Sequence, residues 1–167
     1  MGAAKLSIAE VNALDCAEFI ARFGGIYEHS PWVADVAWKS RPFADRAALE
    51  QALRAAVQSA GRARQLELLR LHPPLGTRLQ LSGFSKSEQA GAGIADAAAA
   101  ERARLAALNT KYERKFGFPF IFAVRQAGLP AILESCQSRI GSGAAAEFEE
   151  SLRQVHRIAA FRLADLV

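Results

Sequence analysis

AAEFEESLRQVHRIAAFRLADL, residues 145–166, carries a single periodicity, and it is helical. With Val155 set at zero and about 100° per residue, Phe148, Leu152, Ala159 and Leu166 fall within about 60° on one side. Arg162 lies only about 20° away on the other side, inside the apolar face. Its guanidinium cannot lose its charge. Three outcomes are open to it: snorkelling to water, pairing with a protein carboxylate, or meeting a bound anion.

Working back from this helix, nearly every segment reads the same way. Gly141-Ser142-Gly143 separates it from a helix over about 129–139. The Ala-rich stretch 94–108 is helix rather than linker, because alanine is the best helix former and Glu and Arg are interleaved. Ser85-Lys86-Ser87-Glu88 has capping-box spacing and predicts a helix start after a turn-rich loop. His72-Pro73-Pro74 stops a helix over 62–71. Asp45 caps a helix whose apolar positions are Leu49, Leu53, Ala56 and Val57. Ser30-Pro31 reads as a cap followed by proline at the first helical position, and Arg41-Pro42 ends that helix. Asp15 caps a helix to about Arg22, stopped by Gly24-Gly25. The exception is 116–124, FGFPFIFAV, where Gly117 and Pro119 break the pattern. It is either extended or a turn entering a buried helix. No internal repeat is found. The expectation is one all-α domain over 1–167, a bundle of about seven to nine helices.

Bulk properties narrow the function. The 167 residues are 51% hydrophobic and 23% charged, ordinary for a globular domain with a core of its own. The net charge is +4 and the pI about 9.4. The basic residues are nevertheless scattered among acids such as Glu67, Glu101 and Glu113, so no stripe forms to follow phosphates, and nucleic acid is not the expected partner. Cys16 and Cys136 stand far apart, outside any metal motif. No apolar run reaches membrane length. The N-terminus carries no secretory pattern and the C-terminus no peroxisomal one. A cytoplasmic protein is expected.

Four features could carry chemistry, and each has a plain alternative. His72, displayed on a backbone stiffened by the prolines, suits an acid or base, but a histidine at a helix end also serves the last carbonyls. Glu88 either completes the capping box with Ser85 or joins Ser85 and Gln89 in a polar corner at a helix N-terminus. The 116–124 run buries aromatic area, yet its glycine and proline leave backbone groups for a flat polar ligand. Arg162 is the fourth. His29 and His156 lack partners at metal spacing.

Taken together and in order, these features are specific. The stretches FGGIYEHSPWVADVAW (23–38), RPF (41–43), LELLRLHP (66–73), SKSEQAGAG (85–93), LNTKYERKFGFPFIFAV (108–124) and RIAAFRL (157–163) resemble the 2-oxo-4-hydroxy-4-carboxy-5-ureidoimidazoline (OHCU) decarboxylases over nearly the whole chain. The resemblance implies an all-α fold, a homodimer, and no metal or organic cofactor. It implies His72 and Glu88 as catalytic groups. It places Pro73, Ser85, Lys86, Ser87, Glu88, Gln89, Phe120, Ile121, Phe122, Ala123, Val124 and Arg162 around a small ureidoimidazoline substrate. Pro74 departs from the acidic residue usual after the His-Pro pair, which bears on how the His72 ring is oriented. The competing readings are a non-catalytic helical interaction module, a nucleic-acid binder suggested by pI alone, and a decarboxylase of a related ureide.

Overall fold

The computed structural model describes residues 4–76, 83–94, 99–125 and 127–167. Among them it has nine helices and no strand: α1 (Ile8–Ala13), α2 (Cys16–Phe23), α3 (Trp32–Trp38), α4 (Arg46–Ser59), α5 (Arg62–Arg70), α6 (Gly83–Gly91), α7 (Ala99–Phe116), α8 (Leu129–Ile140) and α9 (Ala144–Ala164). The all-α expectation and the helix number both hold. The chain forms two compact units, Met1–Leu68 with Ala159–Val167, and Leu69–Ile158.

In the first unit, caps fix the helix starts. Asp15 Oδ1 accepts from the Glu18 amide at 2.8 Å, and the Glu18 carboxylate answers by accepting from the Asp15 amide at 3.0 Å. Asp45 accepts from the Ala48 amide at 2.8 Å. Helix α1 is absent from the sequence reading, although Ser7 and Glu10 form a full capping box around it. Ser30 does not cap α3. Its hydroxyl donates to the Glu28 carbonyl, and Pro31 takes the cap position. Gly24 ends α2 where a Cβ would stand 3.2 Å from Pro31 Cβ, so the chain can double back closely there. Phe19 and Phe23 are buried with ring centroids 4.7 Å apart. Phe43 stacks on Phe19 at 6.1 Å.

The RPF stretch owes its place to hydrogen bonds. Arg41 lies over the Trp38 ring at 3.9 Å and donates to the carbonyls of Trp38, Asn12 and Leu14. The Asn12 amide brackets Phe43, donating to its carbonyl at 2.9 Å and accepting from its N–H at 2.8 Å. The Leu6 amide donates to the Leu166 carbonyl at 2.8 Å, which joins the stretch before α1 to the stretch after α9 within this unit.

In the second unit the structure moves two helix boundaries. Helix α6 starts at Gly83, which puts Ser85 inside the helix and removes it from the cap position. Helix α7 runs on to Phe116, well past the expected end near 108. Residues 77–82 of the expected loop and 95–98 of the Ala-rich stretch lie outside the described residues. Residues 117–124 are not helical, in line with the extended alternative. Of their aromatic rings, Phe120 packs on Tyr112 at 5.4 Å and Phe118 at 5.9 Å between centroids, beside Phe116 of α7 at 4.6 Å.

The Asp15 cap gives a direct check on how α2 is held. Asp15→Ala should lower the unfolding free energy by about 1 kcal/mol in a urea titration. An unchanged midpoint would mean that α2 does not depend on its cap.

Candidate active site

His72 follows the last turn of α5 and is 6% exposed. Its amide donates to the Leu69 carbonyl at 3.3 Å, and two half-buried prolines succeed it. The chain beyond is tied down at both of the next residues. Asn109 of α7 donates to the Leu75 carbonyl at 2.7 Å, and the Gly76 amide donates to Gln89 Oε1 of α6 at 3.1 Å. Gly76 has φ +78°, and a Cβ there would stand 3.1 Å from Leu105. Only glycine suits that turn. On the other side of His72, Arg70 Nε donates to the Gly117 carbonyl at 3.0 Å, fixing the start of the FGFP segment. The stiff backbone inferred from the prolines is therefore reinforced by three side-chain bonds.

Helix α6 presents one buried stripe. Ser85, Gln89 and Ala92 are buried, Glu88 is half-buried at its margin, and Lys86 and Ser87 are exposed. On a helix the 85/89 pair lies about 40° apart and Glu88 about 60° from Ser85, so the three polar groups share one side. The capping-box account of Ser85 and Glu88 fails, because both are interior to the helix. The polar-corner account keeps Ser85, Glu88 and Gln89 together. Part of Gln89 is already occupied in holding Gly76.

The 120–124 segment is buried except for half-buried Phe122. Helices α8 and α9 supply its polar partners. Arg139 Nη1 donates to the Ile121 carbonyl at 2.7 Å, and the Ala123 amide donates to Gln154 Oε1 at 3.0 Å. Arg139 is neutralised by Glu147, whose Oε1 accepts from Arg139 Nε and from the Tyr112 hydroxyl, each at 2.6 Å. Burial, and then the bond to Glu147, push the Tyr112 hydroxyl far above its usual range, so it stays a donor. Burial likewise pushes the Cys136 thiol up to about 11, which leaves it a protonated core residue. Gln154 Nε2 donates to Glu150 at 2.7 Å, which orients the amide with its oxygen towards Ala123.

Arg162 belongs to the first unit. It is 1% exposed, so snorkelling is ruled out. Its Nη1 lies 2.9 Å from Glu28 Oε2 and donates to the Ile26 carbonyl at 3.2 Å. The protein carboxylate is thus the partner found. Sequence reasoning missed Glu28. The available signal was an acid flanked by apolar Ile26, Tyr27, Pro31 and Trp32, together with a buried arginine that needed a counter-charge. Arg139, Gln154 and Asn109 were missed as well. Among the described residues, no group of three or more His, Cys, Asp or Glu could hold a metal ion, and no helix is long and apolar enough to cross a membrane.

Helices throughout the described residues, with a buried histidine on a loop tied to a buried serine–glutamine stripe, define an all-α protein. A family model described as OHCU decarboxylase matches residues 12–164. The chain is 41% identical to 2-oxo-4-hydroxy-4-carboxy-5-ureidoimidazoline decarboxylase of Haloferax volcanii, covering 96% of each chain. It is 34% identical to the Mus musculus protein of the same name, covering 97% of this chain and 93% of that one. A crystal structure of (S)-allantoin synthase superposes with a TM-score of 0.80 at 30% identity, over 97% of this chain and 54% of that one. The chain belongs to the OHCU decarboxylase family.

The Glu28–Arg162 contact makes a stability prediction. Removing one member of a buried pair leaves the other charge uncompensated, so Glu28→Gln should cost about 3–5 kcal/mol by urea unfolding. A loss below about 1 kcal/mol would place the pair in a solvated setting.

Proposed function

We propose that the chain is a carboxy-lyase converting 2-oxo-4-hydroxy-4-carboxy-5-ureidoimidazoline to (S)-allantoin in urate breakdown, as a cytoplasmic homodimer with no cofactor. Membership of the family over nearly the full chain supports the activity. The observation that carries the site is His72, buried on a backbone held by Arg70, Asn109 and Gln89. A group that takes and returns a proton must be positioned before the reaction starts.

The substrate supplies its own electron sink. As the bond from the ring carbon to the carboxylate breaks, its electron pair forms a double bond to the neighbouring ring carbon, and the adjacent C=N accepts the displaced pair on nitrogen, which takes up a proton from solvent. Carbon dioxide leaves, and an enol remains. His72 and Glu88 handle the hydroxyl proton as that enol becomes the carbonyl of allantoin. One proton delivered to a single face of the ureido-bearing carbon sets the S configuration. Pyridoxal or thiamine would provide a sink of this kind where a substrate lacks one. Pro73, Ser85, Lys86, Ser87, Gln89 and the Phe120–Val124 backbone bind the heterocycle in this scheme, and the family resemblance also gives Arg162 a substrate role. The exposure of Lys86 and Ser87 gives them the weaker claim.

A purely structural Arg162 is the second reading, favoured by its contact with Glu28. An interaction module finds less support. Among the described residues, each unit exposes a single large apolar side chain, Val36 in one and Leu71 in the other.

The test generates the labile intermediate from urate with the two preceding enzymes and follows the optical activity of the allantoin formed. Fast formation of the S enantiomer is expected, and racemic product at the uncatalysed rate would contradict the assignment. His72→Ala should abolish most turnover in a folded protein. Arg162→Lys should lower kcat/KM by about tenfold or more, because lysine lacks the planar fork. Normal kinetics with early melting would make Arg162 structural.

A further inference from the structure

Residues 119–124 form neither helix nor turn, and the rings of Phe120 and Phe122 stack with centroids 6.1 Å apart, as side chains two residues apart do on one face of an extended chain. In an extended backbone, alternate residues turn their N–H and C=O groups to the same side, and the residue between turns its own to the opposite side. Arg139 takes the Ile121 carbonyl and Gln154 takes the Ala123 amide. Both partners are fixed in turn. Arg139 is held by Glu147 and by Ser151, and its guanidinium lies 4.7 Å from the centre of the Phe120 ring. Gln154 is held by Glu150.

We propose that Gln154 and Arg139 are positioning residues, which clamp one edge of Ile121–Ala123 so that the Phe122 amide is aimed at the substrate from the other. The inference rests on the active-site reading above, in which the Phe120–Val124 backbone contacts the ureidoimidazoline. Neither side chain touches the reacting atoms. Each acts through the backbone that it holds. In a helical protein a segment of this kind has no sheet to fix its register, so side chains from α8 and α9 take that role. Losing the Gln154 bond frees the Ala123 peptide to rotate and misaims the Phe122 amide next to it.

The test compares three proteins on freshly generated substrate: the unmodified chain, Gln154→Met, and the exchange Gln154→Glu with Glu150→Gln. Gln154→Met keeps the side-chain volume and deletes the acceptor. The exchange retains an acceptor for Ala123 and a hydrogen bond between positions 150 and 154. Gln154→Met should raise KM about tenfold, the worth of one well-placed hydrogen bond, with kcat within about threefold of the unmodified chain. The exchange should restore KM to within about threefold of the original.

A merely structural role would instead lower the urea midpoint and leave KM of the folded enzyme unchanged, which would overturn the proposal. Failure of the exchange to restore KM would overturn it also. Should Gln154→Met not fold, the exchange decides alone: an original KM supports the clamp and a raised one sinks it. An unmodified chain that does not accelerate (S)-allantoin formation removes the active-site reading, and this inference with it. Normal turnover by the unmodified chain with an unchanged KM in Gln154→Met removes the clamp alone.

Discussion

Backbone polar groups that leave regular structure and enter a buried setting must still be paired. This protein has two such stretches in one unit, the chain after His72 and the FGFPFI segment. With no sheet among the described residues, helices supply the partners through their side chains. Arg70, Gln89, Asn109, Arg139 and Gln154 each reach a carbonyl or an amide of these stretches. The same bonds that satisfy the backbone also fix where it runs. Satisfaction and positioning are one event, and the functional reading of His72 and of residues 120–124 depends on it.

Two arginines extend the same logic at higher stakes. Arg139 and Arg162 are both buried, and each faces a buried glutamate, Glu147 and Glu28 respectively. Such pairs gain little net stability over well-packed apolar residues, because desolvation offsets much of the attraction. What they supply is direction. A planar guanidinium with five donors can hold a carboxylate and a carbonyl at once, and Arg139 does so with Glu147 and Ile121. Lysine could match the charge but not the geometry.

The fold was largely legible because its signals are local. Asp15 and Asp45 announce their helices, the proline pair ends α5, and the phase of α9 places Arg162 inside. The errors have physical causes too. The same Ser-x-x-Glu spacing marks a true cap at Ser7 and a helix interior at Ser85, and spacing alone does not say which serine will be buried. Ser30 looked like a cap and instead turned its hydroxyl to a neighbouring carbonyl. The candidate site was legible in part. Proline stiffness offered His72 beside a plain helix-end reading and only the family resemblance gave it a role, whereas Glu28, Asn109 and Gln154 act on residues distant in the chain. No periodicity connects them.

The central claim is that His72, on its tied loop, meets the ligand. It is tested most directly by following the His72 ring and the Phe122 amide by nuclear magnetic resonance while (S)-allantoin is titrated in. Both signals should shift along one saturating curve. A ligand-bound protein in which neither signal moves would contradict the account.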